Sequence, residues 1–427
     1  MYNWNGKKLL ILGATQLCIE IVKLAKANGA YVYVVDYYEN SPAKKYADES
    51  YLLSVTDIDA VVKFINLHKI DAVFTSFTDS ILPHYVEICK QTNMPCLLNE
   101  EQVKLANNKE LFKNTCKKYN VPTIPEFSEY SNLEFPILVK PIDSSGSRGI
   151  SICNNYNEFE LAKKHALTYS KQNKFIVEKF MDCDEITISY TFQDGEIFLT
   201  SIHDRYFNQE QKGKTKVPNC YIYPSKYLQR YINEVNDNVI NMIKSLGFKN
   251  GKIWFQAFVD ENGFYIYEPG LRLNGCKIYN VIAEQCGYNE LERMLNYAIT
   301  GTMGNPHLRN CENPKFKKYS ATLSYLVKSG KIGKFYGLEK LNSINGAIHW
   351  TLWHNEGDTI EEACKGTLLQ TILRISLSSP TLSELISSIE QVNNIFKVED
   401  NMGNNMLLTP YNPSNLKTIY AERTPYA

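Results

Sequence analysis

The chain has 427 residues, 44% apolar and 22% charged, and its 46 Lys+Arg balance 46 Asp+Glu. That length predicts more than one folding unit, and zero net charge argues against a nucleic-acid binder working by phosphate neutralisation. No apolar run approaches the roughly 20 residues of a membrane span, Leu9–Leu12 is too short for a signal-peptide core, and the eleven scattered cysteines, without a Cys-x-x-Cys pair, read as reduced thiols of a cytoplasmic protein.

From the N-terminus, strands and helices alternate. Lys8–Leu12 is a buried strand by its continuous apolar run, Gly13–Gln16 a turn, and Cys18–Asn28 a helix stopped by Gly29. Ala30–Val35 is a strand ending at Asp36. Asp57–His68 is a helix, Ala72–Thr75 a strand, Asp79–Gln91 a helix and Pro95–Leu98 a short strand. The alternation predicts an open parallel sheet. A dinucleotide site is argued against, because Thr15 and Cys18 stand where the glycine fingerprint after Gly13 needs glycines. Asp36 then reads as a strand-end acid. Phe77-Thr78-Asp79 is this unit's best candidate to face a substrate, although Asp79 reads first as a helix N-cap.

Asn108-Lys109 opens a helix that gives way to the extended Val121-Pro-Thr-Ile-Pro125. Lys140 ends an apolar strand. The loop Ser144-Ser145-Gly146-Ser147-Arg148-Gly149 follows, rich in backbone N–H groups that can close over phosphates; it is no Walker loop, since no Gly-Lys-Ser/Thr leads into a helix. Phe175–Phe180 is a further strand. Ile186–Phe192 and Glu196–Ile202 make a hairpin turned at Asp194-Gly195. His203–Tyr223 is polar and basic and reads as a flexible covering loop; His203, Arg205 and Lys212 or Lys214 are its candidates for anion contact, Arg205 first. Tyr227–Gly247 reads as an amphipathic helix. Ile253–Val259 and Phe264–Tyr267 form a hairpin around Asp260–Gly263, with Gln256 and Glu268 on one face. Two such oxygen ligands suit a hard cation such as Mg²⁺, and Arg272 follows, placed to neutralise an anion. Glu284–Thr300 reads as a helix. Beyond residue 311, Ser320–Val327, Gly330–Gly333 and Ala347–Trp353 read as strands and Thr359–Ser376 and Thr381–Asn394 as helices; His349, Trp350, Trp353 and His354 read as packing.

Taken in order, Lys109, Lys140 (in Val-Lys-Pro), the Ser/Gly loop, Glu178, Glu185, Gln256, Glu268 and Arg272 resemble the ATP-grasp superfamily. Its late signature is an acid or Gln on one strand and Glu-x-Asn-x-Arg on the next. Here the second half is Glu268-Pro-Gly-Leu-Arg272, with Gly270 for Asn, so one metal ligand of the pattern is missing. Cys183 likewise stands for a usual Gly.

The resemblance implies an α/β (α+β ATP-grasp) fold. It comprises an N-terminal open parallel-sheet domain over 1–98, an ATP-grasp domain over 99–310 with a mobile lid at about 122–183, and a C-terminal α+β subdomain over 311–427. It implies ATP contacts from Lys109, Lys140, Ser144, Ser145, Gly146, Ser147, Arg148, Gly149, Glu178, Lys179, Phe180 and Glu185. It implies Mg²⁺ (or Mn²⁺) on Gln256 and Glu268, with Arg272 and Arg205 acting on the reacting groups. The implied activity is a carboxylate–amine ligase working through an acyl phosphate on small-molecule carboxylate and amine substrates. No nucleic-acid or membrane partner is implied, and a homodimer is an open option. Two other readings share the motifs. A bicarbonate-activating enzyme ranks lower, because the chain lacks the doubled architecture of the large carbamoyl-phosphate synthetases. A non-catalytic nucleotide-binding protein is the reading that Gly270 and Cys183 raise.

Overall fold

The computed structural model describes residues 2–144, 148–208 and 217–420. It opens with a four-stranded parallel sheet of β1 (Lys8–Leu12), β2 (Tyr31–Asp36), β3 (Glu49–Leu52) and β4 (Ala72–Phe74), in the order β3-β2-β1-β4. β1, β2 and β4 are almost wholly buried, as the apolar runs of a covered parallel sheet require. Two expectations fail here. Pro95–Leu98 forms no strand; Leu97 and Leu98 pack into the core from a loop. β3 was not foreseen, because an edge strand reading Glu-Ser-Tyr-Leu, only half buried, carries little apolar signal.

A small antiparallel sheet follows: β5 (Ile137–Pro141), β6 (Ser151–Cys153) and β7 (Phe175–Lys179), with the helix Tyr156–Thr168 against it. These elements enclose their own apolar cluster of Leu133, Ile137, Val139, Cys153, Phe159 and Val177. That cluster is distinct from the one joining the N-terminal unit to the centre of the molecule. A private core of this kind is what the expected lid would need to move as a body.

The remaining strands are β8 (Asp184–Gln193), β9 (Glu196–Phe207), β10 (Pro218–Tyr223), β11 (Gly251–Val259), β12 (Phe264–Gly270), β13 (Tyr319–Leu326), β14 (Gly330–Tyr336), β15 (Ala347–Leu352), β16 (Thr359–Ile360), β17 (Thr371–Ser379) and β18 (Lys397–Asp400). Eight of them form one antiparallel sheet in the order β12-β11-β8-β9-β10-β13-β17-β15, while β16-β14-β18 is a small satellite sheet. The expected boundary near residue 311 therefore lies inside a continuous sheet, sealed where Tyr223 on β10 pairs with Ser320 on β13.

Several local expectations are corrected. The stretch 203–223 is strand at both ends, in β9 and β10, and 209–216, with Lys212 and Lys214, lies outside the described residues. Thr359–Ser376 is no helix. Thr371–Ser379 is a strand buried at every position, because pairing with β13 and β15 outweighs local preference. Glu284–Thr300 divides into helices Ile278–Cys286 and Glu290–Thr300, where Gly287 at φ 76° ends the first and Asn289 caps the second. Tyr227–Gly247 divides at Val235 into Leu228–Glu234 and Asn236–Ser245. Leu382–Ile395 is helical as expected, opened by a Thr381/Glu384 capping box.

One register matters for function. Glu185, Arg205, Tyr221, Thr322, Ser376 and His349 are successive cross-strand partners from β8 to β15. Directly opposed residues point to the same side of a sheet, so one polar row crosses the molecule from the lid side to the C-terminal unit.

Candidate active site

Asn108 caps the helix Lys109–Lys118 by accepting from the Leu111 N–H, which fixes Lys109 as the first helical residue. From there Lys109 Nζ donates to the Ser144 carbonyl, three residues beyond β5. Burial, then the Lys140 charge beside it, holds the Lys109 ammonium below its usual range. Lys140 is 6% exposed and pairs with Glu178 at 2.6 Å. Glu178 is 1% exposed and also pairs with Lys113, which reaches Glu126 at 2.9 Å. Burial favours the neutral acid, but Lys140 and Lys113 hold the Glu178 carboxyl below the carboxylate range. Lys113 was missed in the sequence, although it lies one helical turn from Lys109 on the same face.

Ser144 lies at the rim of the phosphate loop, and Ser145, Gly146 and Ser147 lie outside the described residues. Arg148 is exposed. Gly149 is required where it stands: at φ 77° a Cβ would sit 2.8 Å from Pro141 and 2.9 Å from Tyr169. On the hinge, Lys179 is exposed and its N–H bonds the Pro125 carbonyl, while the N–H of the half-buried Phe180 bonds the Pro136 carbonyl.

The hairpin forms as the sequence predicts, with Gln256 directly opposite Glu268. The register then slips, Ala257 facing Ile266, so Tyr267 is the extra residue of a bulge. A bulge re-aims a side chain that alternation would send to the other face. Tyr267 Oη thereby donates to Gln256 Oε1 at 2.7 Å and lies 3.2 Å from Glu185. Arg205 joins them, donating to Tyr267 Oη at 3.0 Å and pairing with Glu185 at 2.9 Å. Burial opposes the Arg205 charge, but Tyr267 and Glu185 outweigh it and hold its pKa above the usual value. Nothing in the one-dimensional pattern marks Tyr267, since a bulge exists only in the pairing. His203 is buried with its ring 4.7 Å from that of Tyr223 and 5.5 Å from that of Tyr221. Burial, then Arg205 and Lys252, holds it far below the usual histidine range, so it is neutral.

Arg272 grips Asp79 with two donors of one guanidinium edge, Nε to Oδ1 at 2.8 Å and Nη2 to Oδ2. Asp79 caps no helix; Thr78 is the N-cap residue of the short 3₁₀ turn that Asp79 begins. The loop holding it is bent at Phe77, φ 71°, and Ser76 Oγ accepts from the Leu273 N–H at 3.1 Å. Arg272 also lies over the Trp254 ring at 5.3 Å. That ring explains Gly270: a Cβ there would lie 2.1 Å from Trp254 Cζ2, so the Asn of the family pattern has no room.

Glu268 opens to the cleft, yet burial first and Asp79 second push its carboxyl above the usual range, against the pull of Arg272, Arg205 and Lys109. Its carboxylate and the Gln256 amide oxygen fit one hard divalent cation that takes its other ligands from phosphate and water. Among the described residues no group of three or more His, Cys, Asp or Glu side chains gathers to form an all-protein cage. Asp36 is spent locally, accepting from the Ala14 and Tyr38 N–H groups and from Ser41.

A small three-stranded unit with its own core, beside a long antiparallel sheet, is the arrangement that the resemblance to the ATP-grasp superfamily implies. Residues 133–279 match the family model of the ATP-grasp domain, and the protein carries that domain. By sequence it is 28% identical over 261 residues to a formate-dependent phosphoribosylglycinamide formyltransferase of Prochlorococcus marinus, a match covering 57% of this chain and 65% of that protein. The chain thus spans just under two thirds of the length of this curated relative. By fold it is similar to the L-amino acid ligase of Bacillus licheniformis (TM-score 0.74, 19% identity, 93% of this chain and 99% of that one). It is equally similar to the biotin carboxylase domain of the Hydrogenobacter thermophilus 2-oxoglutarate carboxylase, in a complex with MgADP and bicarbonate (TM-score 0.74, 16% identity, 94% and 91%). No helix among the described residues is long and apolar enough to cross a membrane. All eleven cysteines are described, and none is in a disulfide.

Proposed function

We propose that the protein is an ATP-dependent carboxylate–amine ligase working through an acyl phosphate, with Mg-ATP as its nucleotide. The observation that carries this is the opposed pair Gln256 and Glu268, set between the Lys109/Lys140 grip and Arg272. In the first step a substrate carboxylate oxygen attacks the γ-phosphorus and ADP leaves. In the second an amine attacks the acyl carbon, phosphate leaves, and the nitrogen releases a proton. No protein nucleophile is needed; positioning and charge neutralisation supply the rate. Lys109, Lys140 and the 144–149 loop hold the phosphates. Glu185, oriented by Arg205 and Tyr267, takes the ribose side. Arg272, oriented by Asp79, faces the acyl phosphate. Glu268 and Gln256 hold Mg²⁺, which when bound withdraws charge from the phosphate oxygens. The named enzymes it resembles, an amino-acid ligase among them, support the reaction class and leave the acid and the amine to be found.

The test is ADP release from Mg-ATP across pooled amino acids and small carboxylates, with and without bicarbonate. ADP that depends on one acid–amine pool is the expected result. Bicarbonate dependence alone would transfer the protein to the carboxylating class. Glu268→Ala should cut the rate about 100-fold or more, several kcal/mol of lost transition-state stabilisation. Full activity in that variant would remove Glu268 from the reaction.

A further inference from the structure

Two residues along β17 from Ser376, where the polar row from Glu185 and Arg205 crosses that strand, one cation is left with spare capacity at a junction of all three units. Arg374 on β17 is 2% exposed, paired across the sheet with Ser324 on β13 and Thr351 on β15. Its Nε donates to Ser324 Oγ at 3.1 Å and its Nη1 to the Gly275 carbonyl. Its Nη2 has no partner, and neither does Nε1 of Trp353, whose ring centre lies 5.0 Å from the guanidinium carbon. Both are donor-only groups. Lys277 beside it is matched by Glu20; of the other buried cations Lys252 is matched by Glu290 and Lys140 by Glu178, whereas Arg293 is met by carbonyl and amide oxygens alone. Among the described residues no carboxylate pairs with Arg374. A buried charge without a counter-charge is costly, and a guanidinium edge with free N–H groups fits a planar carboxylate or a phosphate.

The position is apt for a substrate. Gly275 closes the segment that begins at Glu268, and Tyr221, paired with Arg205, feels the charges of both Arg205 and Arg374. Nearby, Gln16 of the N-terminal unit donates to the Leu352 carbonyl at 3.2 Å. Glu20, Lys277 and Thr351 tie the three units together.

We propose that Arg374 is a specificity-determining residue: it binds an anionic group, carboxylate or phosphate, carried by the co-substrate in addition to the group that reacts. The proposal rests on the ligase reading, because it describes that enzyme's co-substrate.

The test uses the full chain with MgADP bound and two probe pairs that differ in one anion: alanine against alaninamide, and O-phosphoethanolamine against ethanolamine. Calorimetric titration of wild type should show at least about a tenfold preference for one anionic member, and the pair that discriminates names the anion. Arg374→Met should abolish the preference and leave MgADP affinity within about twofold. Should that variant fold poorly, Gly275→Asp decides the matter with Arg374 retained. A Cβ at Gly275 meets only ordinary contacts, 3.8 Å from Arg374 Nη1, so the new carboxylate would occupy the guanidinium and erase the preference. Equal binding within both pairs by wild type, or a preference that survives both substitutions, overturns the proposal. Failure of MgADP to bind would instead sink the ligase reading; the probe titrations are then made on the nucleotide-free chain.

Discussion

The lid side of the molecule and the junction around Arg374 are built on opposite electrostatic plans. At the lid end Lys140 and Lys113 are matched by Glu178, Arg272 by Asp79, and Arg205 by Glu185 and Tyr267. At the junction Arg374 has a donor edge with no partner. A site for a common ligand such as ATP can be held rigid by its own counter-charges, so that little reorganisation is needed on binding. A site that must discriminate leaves a group unmet, because the wrong ligand then incurs the desolvation cost.

That contrast breaks most visibly at Glu178. Glu178→Gln leaves Lys140 buried without its acid and Lys113 with Glu126 alone, and urea unfolding should show a loss of about 3–5 kcal/mol. Arg374→Met removes an unmatched charge and should change stability far less. Equal losses would erase the distinction between the ends.

Next in size is Gly270→Ala. Its new methyl overlaps the Trp254 ring, and overpacking of this kind costs about 1–3 kcal/mol. Adding Trp254→Leu should recover much of the loss, which equilibrium unfolding of the double variant checks.

Tyr267→Phe is smaller. It removes the hydroxyl shared by Arg205, Glu185 and Gln256 at a cost of about 1–2 kcal/mol, and the Michaelis constant for ATP should rise. An unchanged constant would mean that Glu185 is oriented without it.

The smallest effect is in pH. The Glu268 carboxyl is raised in the fold, so between its ordinary value and the raised one the folded chain holds a proton that the unfolded chain has lost. Stability of the nucleotide-free protein therefore falls as pH rises through that window. Glu268→Gln removes the slope, and Mg²⁺ binding by wild type should release a proton, which calorimetry in two buffers of different ionisation enthalpy detects. Mg²⁺ uptake with no proton release just above pH 4.5 would contradict the raised value.

Much of this was legible in the chain. The buried strands of the N-terminal sheet, the Gln256/Glu268 hairpin and the order of the lysines and acids follow from local periodicity and turn chemistry. The failures share a cause. Thr359–Ser376 was read as helix, although Thr371–Ser379 is strand, because no local feature announces pairing on both sides. Asp79 was read as a cap because its partner, Arg272, lies 193 residues away.

The sequence alone determined which segments alternate, where the turns fall and which residue types recur in the order that an ATP-grasp site requires, since those depend on neighbours a few residues apart. Only the tertiary structure decided that Tyr267 bulges into the site, that Glu178 is shared by Lys140 and Lys113, that Trp254 excludes a side chain at position 270, and that Arg374 keeps a donor unspent. Each depends on strand register and on how distant segments close-pack, and register is chosen by the burial of whole faces rather than by any residue in isolation.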